Sequence, residues 1–220
     1  MSTSRYDRCV PTHPYHHGDL RRTLLEAAAA SIEANGVEAL SLRQLARDAG
    51  VSHAAPSRHF RDKQALLDAL AEDGFNRLAT SLNEASQGVA ATPAAARRRF
   101  EDLGRGYVAF ALAQPTLLSL MFGLKHAPDA RAELLAAGHE SMALTMRVIV
   151  AAQEIGAIGP GDPQHIALVA FATFHGVATL TSGGLLDGVP ADELVATASE
   201  LFWRGLQPQM AVAPDLAPGT

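Results

Sequence analysis

Apolar positions recur at helical spacing through almost the whole chain. From Asp19 onward Leu20, Leu24, Ala28 and Ile32 fall on one face, and Asn35-Gly36 supplies a stop, because glycine accepts the left-handed conformation after a last turn. Val37 offers the apolar contact just beyond it. Leu42, Leu45, Ala46 and Ala49 stripe a short second helix over 41–49, where Ser41 and Gln44 have the spacing of a capping box. Gly50-Val51-Ser52 reads as a tight turn, and Ser52 as the cap of a third helix reaching His59 or Phe60. Asp62 caps a fourth, longer helix from Lys63, striped by Leu67, Leu70, Gly74, Leu78 and Leu82. Val, Ile and Thr never form the alternating runs of a strand, so the expected fold class is all-α.

A boundary is expected between Gln87 and Pro93. Beyond it the pattern predicts helices over about 94–113, 116–124, 129–155, 163–184 and 191–207. Pro115 parts the first two, and Asp162 caps the fourth with Pro163 at its first helical position. The expected organisation is a tail over 1–14, a domain over 15–85, a larger helical domain over 86–208, and a disordered tail over 209–220.

Composition and charge refine this picture. With 48% hydrophobic and 19% charged residues, the 220-residue chain can bury a sizeable core. No unbroken apolar run reaches the roughly 18 residues of a membrane span, and Met1 to Pro14 lacks the apolar stretch of a secretory signal. The single cysteine, Cys9, leaves no internal disulfide framework and no Cys-based zinc site. A cytoplasmic protein with no membrane partner is expected. The net charge of −5 is uneven: residues 1–63 hold nine Lys/Arg against seven Asp/Glu, and residues 64–220 hold nine against sixteen. A mildly basic front on an acidic body suits a protein that meets nucleic acid with one end only, and chance fluctuation also accommodates it.

The segment from Ser41 to Phe60 has the layout of a helix-turn-helix: a helix, a glycine-containing turn and a second short helix. In such a motif the first helix braces across the phosphate backbone and the second places its N-terminal side chains in the major groove. Ala46, Gly50 and Val51 are small or apolar where the two must cross, and His53 and Arg58 face outward. An ordinary pair of core helices would share part of this pattern, but not the caps on both.

Residues 15–82 resemble the DNA-binding domain of the TetR (tetracycline-repressor) family of regulators. The resemblance rests on Leu24-Leu25-Glu26-Ala27-Ala28, on 36–42 (Gly-Val-Glu-Ala-Leu-Ser-Leu), on Leu45-Ala46 with Ala49-Gly50-Val51-Ser52, and on Arg58-His59-Phe60-Arg61-Asp62-Lys63 running into Leu66-Leu67. Tyr15-His16-His17-Gly18-Asp19-Leu20, with Phe174-His175-Gly176 far downstream, is similar to a subset with a Trp-His-Gly-type C-terminal domain. The resemblance and the geometry together imply that Ser41, Arg43, Gln44, Ser57, His59 and Lys63 contact phosphate or orient the motif. They imply that Ser52, His53, Ala54 and Arg58 face base edges or the groove wall, with a minor-groove contact as the alternative for Arg43. One departure stands out. Where the family usually carries Tyr or another large residue, this chain has Ser57, preceded by Pro56, so one phosphate contact is expected to be weaker.

The resemblance implies that the second domain binds a small effector and forms a homodimer on a double-stranded DNA operator. Ile166, Val169, Thr173 and Val177 share one helix face, and Leu194, Ala198, Leu201 and Phe202 another. Two such helices from each chain would make a four-helix interface, although both faces also fit an internal core. Phe110, Met121, Phe122, His126, Met142, Met146, Phe171, Phe174 and His175 are candidates to line an effector cavity, and each fits plain core as well. The effector itself is not identifiable from the sequence. No cofactor and no metal are expected: the tract His13, His16 and His17 lacks a completing ligand set. Nor is there a phosphate loop, nucleophile elbow or HExxH, so an enzyme is not expected.

Overall fold

A computed structural model describes residues 17–207, and every regular element among them is a helix. The predicted tails, with Cys9, His13, His16 and Pro208, lie outside the described residues, as do the side chains of 17–19. The chain divides into two compact units between Leu66 and Leu67, a point inside one continuous helix.

The first unit holds α1 (His17–Asn35), α2 (Leu42–Asp48), a one-turn 3-10 segment (Pro56–Arg58) and the start of α3 (Lys63–Ala85). Leu24, Ala28 and Ile32 of α1 are fully buried, and Leu45, Ala46, Phe60 and Leu66 are nearly so, as the 3.6 period requires. The helix ends are chemically explicit. Gly36 takes φ of 79° after α1 and its N–H donates to the Ile32 carbonyl at 2.8 Å. Gly50 takes φ of 66°; its N–H donates to Arg47 O and that of Val51 to Ala46 O, the paired bonds of a Schellman cap. Asp62 accepts from Ala65 N at 2.8 Å and caps α3.

Two local expectations are corrected. Ser41 precedes α2 in extended geometry but makes no side-chain cap bond, and the Gln44 side chain is engaged elsewhere, donating to Asp48 at 2.6 Å and accepting from Arg47. The third helix does not run from Ser52. Pro56 has no N–H to give the Ser52 carbonyl, so that carbonyl takes Ala55 N at 2.9 Å, three residues on. The chain then turns through Arg58 N to Ala55 O and His59 N to Pro56 O, with Pro56 at the first helical position.

The second unit comprises the rest of α3, then α4 (Pro93–Ala113), α5 (Pro115–Lys125), α6 (Ala132–Glu154), α7 (Pro163–Ser182) and α8 (Ala191–Leu206). Thr92 caps α4 by accepting from Ala95 N, and Asp162 caps α7 by accepting from Gln164 N at 2.9 Å. The core forms around α4, which packs on α6, α7 and α8. Phe100 of α4 is fully buried, with ring centroids of Phe202, Phe174 and Trp203 at 5.0, 5.6 and 6.0 Å. α6 and α7 have the length and mean hydropathy (1.2 and 1.3) of membrane-crossing helices, a property that counting unbroken apolar runs missed. Part of their Ala, Val and Leu content packs, since they lie against each other and against α4, while α7 leaves Leu168, Val169 and Leu180 exposed.

Gly104 on α4 is a close approach. A Cβ there would fall 2.4–2.9 Å from the ring atoms of Phe174, itself 2% exposed. Gly104→Ala gains up to about 1 kcal/mol of helix propensity but must displace a ring with nowhere to go, at about 1–3 kcal/mol. A net loss of stability is expected in urea unfolding, opposite in sign to the propensity effect.

Candidate nucleic-acid interface and ligand chamber

In the first unit, α2, the Gly50 turn and the 3-10 segment present Ser41, Arg43, Gln44, Ser52, His53, Ala54, Ser57 and Arg58 to solvent. His59 and Lys63 are half-buried. The cations here divide into two kinds. Arg22 pairs with Glu26, Arg47 with Gln44, Arg61 with Asp62, and the Arg21 guanidinium lies 5.8 Å from the Phe60 ring centroid. Arg43 and Arg58 have no hydrogen-bond or ion-pair partner among the described residues, so their full charge is available to an external anion. Lys63 donates to the Glu38 carbonyl at 2.9 Å, tying the start of α3 to the loop before α2.

In the second unit a small cavity of about 30 Å³ opens where five helices converge. α3 contributes Leu78 and Leu82, α4 Tyr107, α5 Phe122 and Lys125, α6 Met142 and Thr145, and α7 Phe171. The Tyr107 hydroxyl and His175 Nδ1 share a hydrogen bond of 2.8 Å. Burial pushes the tyrosine pKa up and the histidine pKa down, so this pair is held uncharged. The rings of Tyr107, Phe122, Phe171 and His175 form a cluster with neighbouring centroids 5.2–6.2 Å apart, edge-on or tilted. His175 and Phe122 also line a second, half-open cavity of about 270 Å³, together with Leu118, Ser119 and Thr179.

The nine sequence candidates for the chamber thus separate. Phe122, Met142, Phe171 and His175 stand at cavity walls. Phe110, Met121 and Phe174 are packed in the core, with Met121 against Gly74 and Phe174 against Gly104. Met146 is half-buried and His126 exposed. Tyr107, Lys125, Ser141 and Thr145 were missed, since a polar residue in a helix reads as surface until the fold is known. Lys125 did carry a signal: it is one of two lysines in a chain with sixteen arginines. Among the described residues no three His, Cys, Asp or Glu side chains group as a metal site.

The outer faces of α7 and α8 carry exposed apolar side chains: Leu168 (54%), Val169 (56%) and Leu201 (63%). Ile166, Thr173, Leu194, Ala198 and Phe202 are half-buried, and Val177 is buried.

Residues 24–70 match the family model described as bacterial regulatory proteins, tetR family, and residues 100–202 match that of the tetracyclin repressor-like C-terminal domain. The chain belongs to the TetR family. Its members are DNA-binding transcriptional regulators with a helix-turn-helix domain, and the N-terminal match, over 24–70, takes in the segment from Ser41 to Phe60. No curated protein matches the chain. A solved protein of unknown function from Rhodococcus sp. RHA1 is 58% identical, with TM-score 0.81, over 90% of this chain and all of that one. The TetR family transcriptional regulator PfmR from Thermus thermophilus shares the fold at 21% identity and TM-score 0.62, covering 84% of this chain and 99% of that one. A TetR family transcription regulator from Marinobacter aquaeolei VT8 does so at 19% and 0.65, covering 84% and 94%.

Proposed function

We propose that this TetR-family protein is a cytoplasmic, ligand-responsive repressor that binds a palindromic operator as a homodimer, and that it is not an enzyme. The observation that carries this reading is the helix-turn-helix surface with Arg43 and Arg58 left unpaired, among the described residues, beside exposed Ser52, His53 and Ala54. Two copies related by a two-fold axis would offer two such surfaces to two half-sites. The apolar strip of Leu168, Val169 and Leu201 is the proposed dimer face, joined by Ile166, Thr173 and Leu194. Residues 15–85 are assigned to DNA binding and 86–208 to sensing and pairing, with α3 as the connecting helix.

The proposed response runs through α3. This one helix starts with Lys63, which holds the Glu38 carbonyl, and carries Leu78 and Leu82 at the chamber wall. A ligand that enlarges the chamber would favour one setting of α3 over another, and would change operator affinity only by its difference in affinity for the two. Pro56 supports a second reading, a helical interaction protein with weakened DNA binding, because it reduces the second helix of the motif to a single 3-10 turn.

Mobility-shift titration with the DNA upstream of the gene separates the two readings. For a dimer neutralising about six phosphates, log K should fall with log salt at a slope of about −5. Sedimentation should give a dimer at micromolar concentration, and Val169→Asp or Leu201→Asp should give a folded monomer with much weaker DNA binding. Failure of the native protein to shift any flanking promoter fragment would favour the interaction-protein reading.

A further inference from the structure

Lys125 lies in the last turn of α5, at the wall of the five-helix cavity. Its stem crosses Gly138 of α6, where an added Cβ would sit 2.8 Å from both Cδ and Cε, so the missing side chain is what lets the lysine pass. Its Nζ is 5.7 Å from the Phe75 ring centroid, and among the described residues it has no hydrogen bond and no carboxylate partner. The negative end of the α5 dipole and the ring face offset part of its charge, but neither is a full counter-ion. Burial accordingly pushes its pKa down.

A second polar group faces the same space. Thr145 of α6 is only 6% exposed, lines this cavity and makes no side-chain hydrogen bond among the described residues. Its unpaired hydroxyl is not among the fully buried polar atoms left without a partner, so it is open to an acceptor that enters the cavity. Of the other polar groups on the wall, Ser141 donates to the Gly138 carbonyl and the Tyr107 hydroxyl is paired with His175, and the rest is apolar or aromatic, with Phe122, Phe171 and Met142 foremost.

We propose that this chamber takes a small monocarboxylic acid with an apolar body, its carboxylate paired with Lys125 and hydrogen-bonded by Thr145. The proposal rests on the reading of the chamber as the effector site. One ammonium balances one negative charge; a phosphate dianion would leave a charge unpaired among aromatic rings, and a neutral ligand would leave the lysine uncompensated. The cavity of about 30 Å³ accepts the head group. The body displaces the half-buried Met142 and Phe171, side chains that can move without exposing the core.

The two lysines make the test direct. Reductive ¹³C-methylation of the full chain labels only Lys63, Lys125 and the α-amino group. The probes are butyrate, hexanoate, octanoate, benzoate and phenylacetate, each beside its primary amide. At least one acid should shift the Lys125 resonance, raise its pKa and raise the melting temperature, while the matching amide binds about tenfold or more weakly. Lys125→Met should lose at least that factor for the acid. Gly138→Ala should lose it too, by displacing the lysine stem, with no drop in melting temperature. The proposal is overturned if no acid moves the Lys125 resonance, if an amide binds as tightly as its acid, or if both variants keep the acid affinity. Operator titration separates the two levels. Amides that bind and release DNA would sink the carboxylate assignment alone. Acids that bind at Lys125 without changing DNA affinity would uphold the site and sink the ligand-responsive reading.

Discussion

Truncating Phe100 to alanine should cost about 3–5 kcal/mol of unfolding free energy and lower the melting temperature by roughly 6–20 °C. The ring is fully buried on α4, the helix on which α6, α7 and α8 pack. It stacks on Phe202 with planes 13° apart and meets Phe174 and Trp203 at tilts of 49° and 45°. Removing it therefore breaks aromatic contacts to two other helices at once, each worth about 0.5–1.5 kcal/mol beyond area burial. The hole cannot collapse easily: its lining rings are large and already fixed, Phe174 by Gly104 and Trp203 by its own burial at 3% exposure. Phe110→Ala is the comparison. That ring is 8% exposed and lies nearer the end of α4, so a smaller loss is expected. Urea unfolding followed by helical circular dichroism measures both. A loss below about 1 kcal/mol at Phe100 would mean that the α4–α7–α8 core repacks as no close-packed interior should.

The helices were legible because their boundaries are local chemistry. Asn35-Gly36, Asp62 and Asp162-Pro163 each satisfy or terminate a helix with atoms within a few residues, and all three act in the structure as the sequence suggests. The same local chemistry explains the main miss. Ser52 has the look of a cap, but Pro56 sits where the Ser52 carbonyl needs a donor, and the missing N–H outweighs the cap. The chamber was legible only as a kind of residue, not as a place. Phe171 and Phe174 are three residues apart on one helix, yet one reaches the cavity and the other fills the core against Gly104. That choice depends on the rotation of α7 against α4, and no local pattern encodes it. Lys125 and Thr145 are harder still, since their burial comes from helices distant in sequence. The membrane question turned on measure: α6 and α7 are apolar on average while interrupted, α6 by Glu140 and Arg147 and α7 by polar residues such as Thr173 and His175, which no unbroken-run count tolerates.

Replacing Arg58 by alanine should weaken operator binding by about 1–3 kcal/mol per half-site, hence about 2–6 kcal/mol in a dimer that reads two. Even the lower figure is roughly a thirtyfold loss. Arg58 is exposed in the last residue of the 3-10 segment and has no partner within the described residues, so its removal should leave the fold intact to within about 0.5 kcal/mol. A guanidinium held at a groove reads guanine through two parallel hydrogen bonds, and its loss should relax preference at one base position per half-site. Arg43, on α2, has the phosphate backbone as its expected partner. Arg43→Ala should weaken binding evenly across sequences and flatten the salt slope by about one for each phosphate no longer neutralised. The two variants thus differ in kind, and binding to a randomised operator library at two salt concentrations distinguishes them. If Arg58→Ala changes neither affinity nor base preference, the shortened segment after Ser52 does not read DNA. Pro56 would then mark a helix-turn-helix that has kept its fold and given up its hold on the groove.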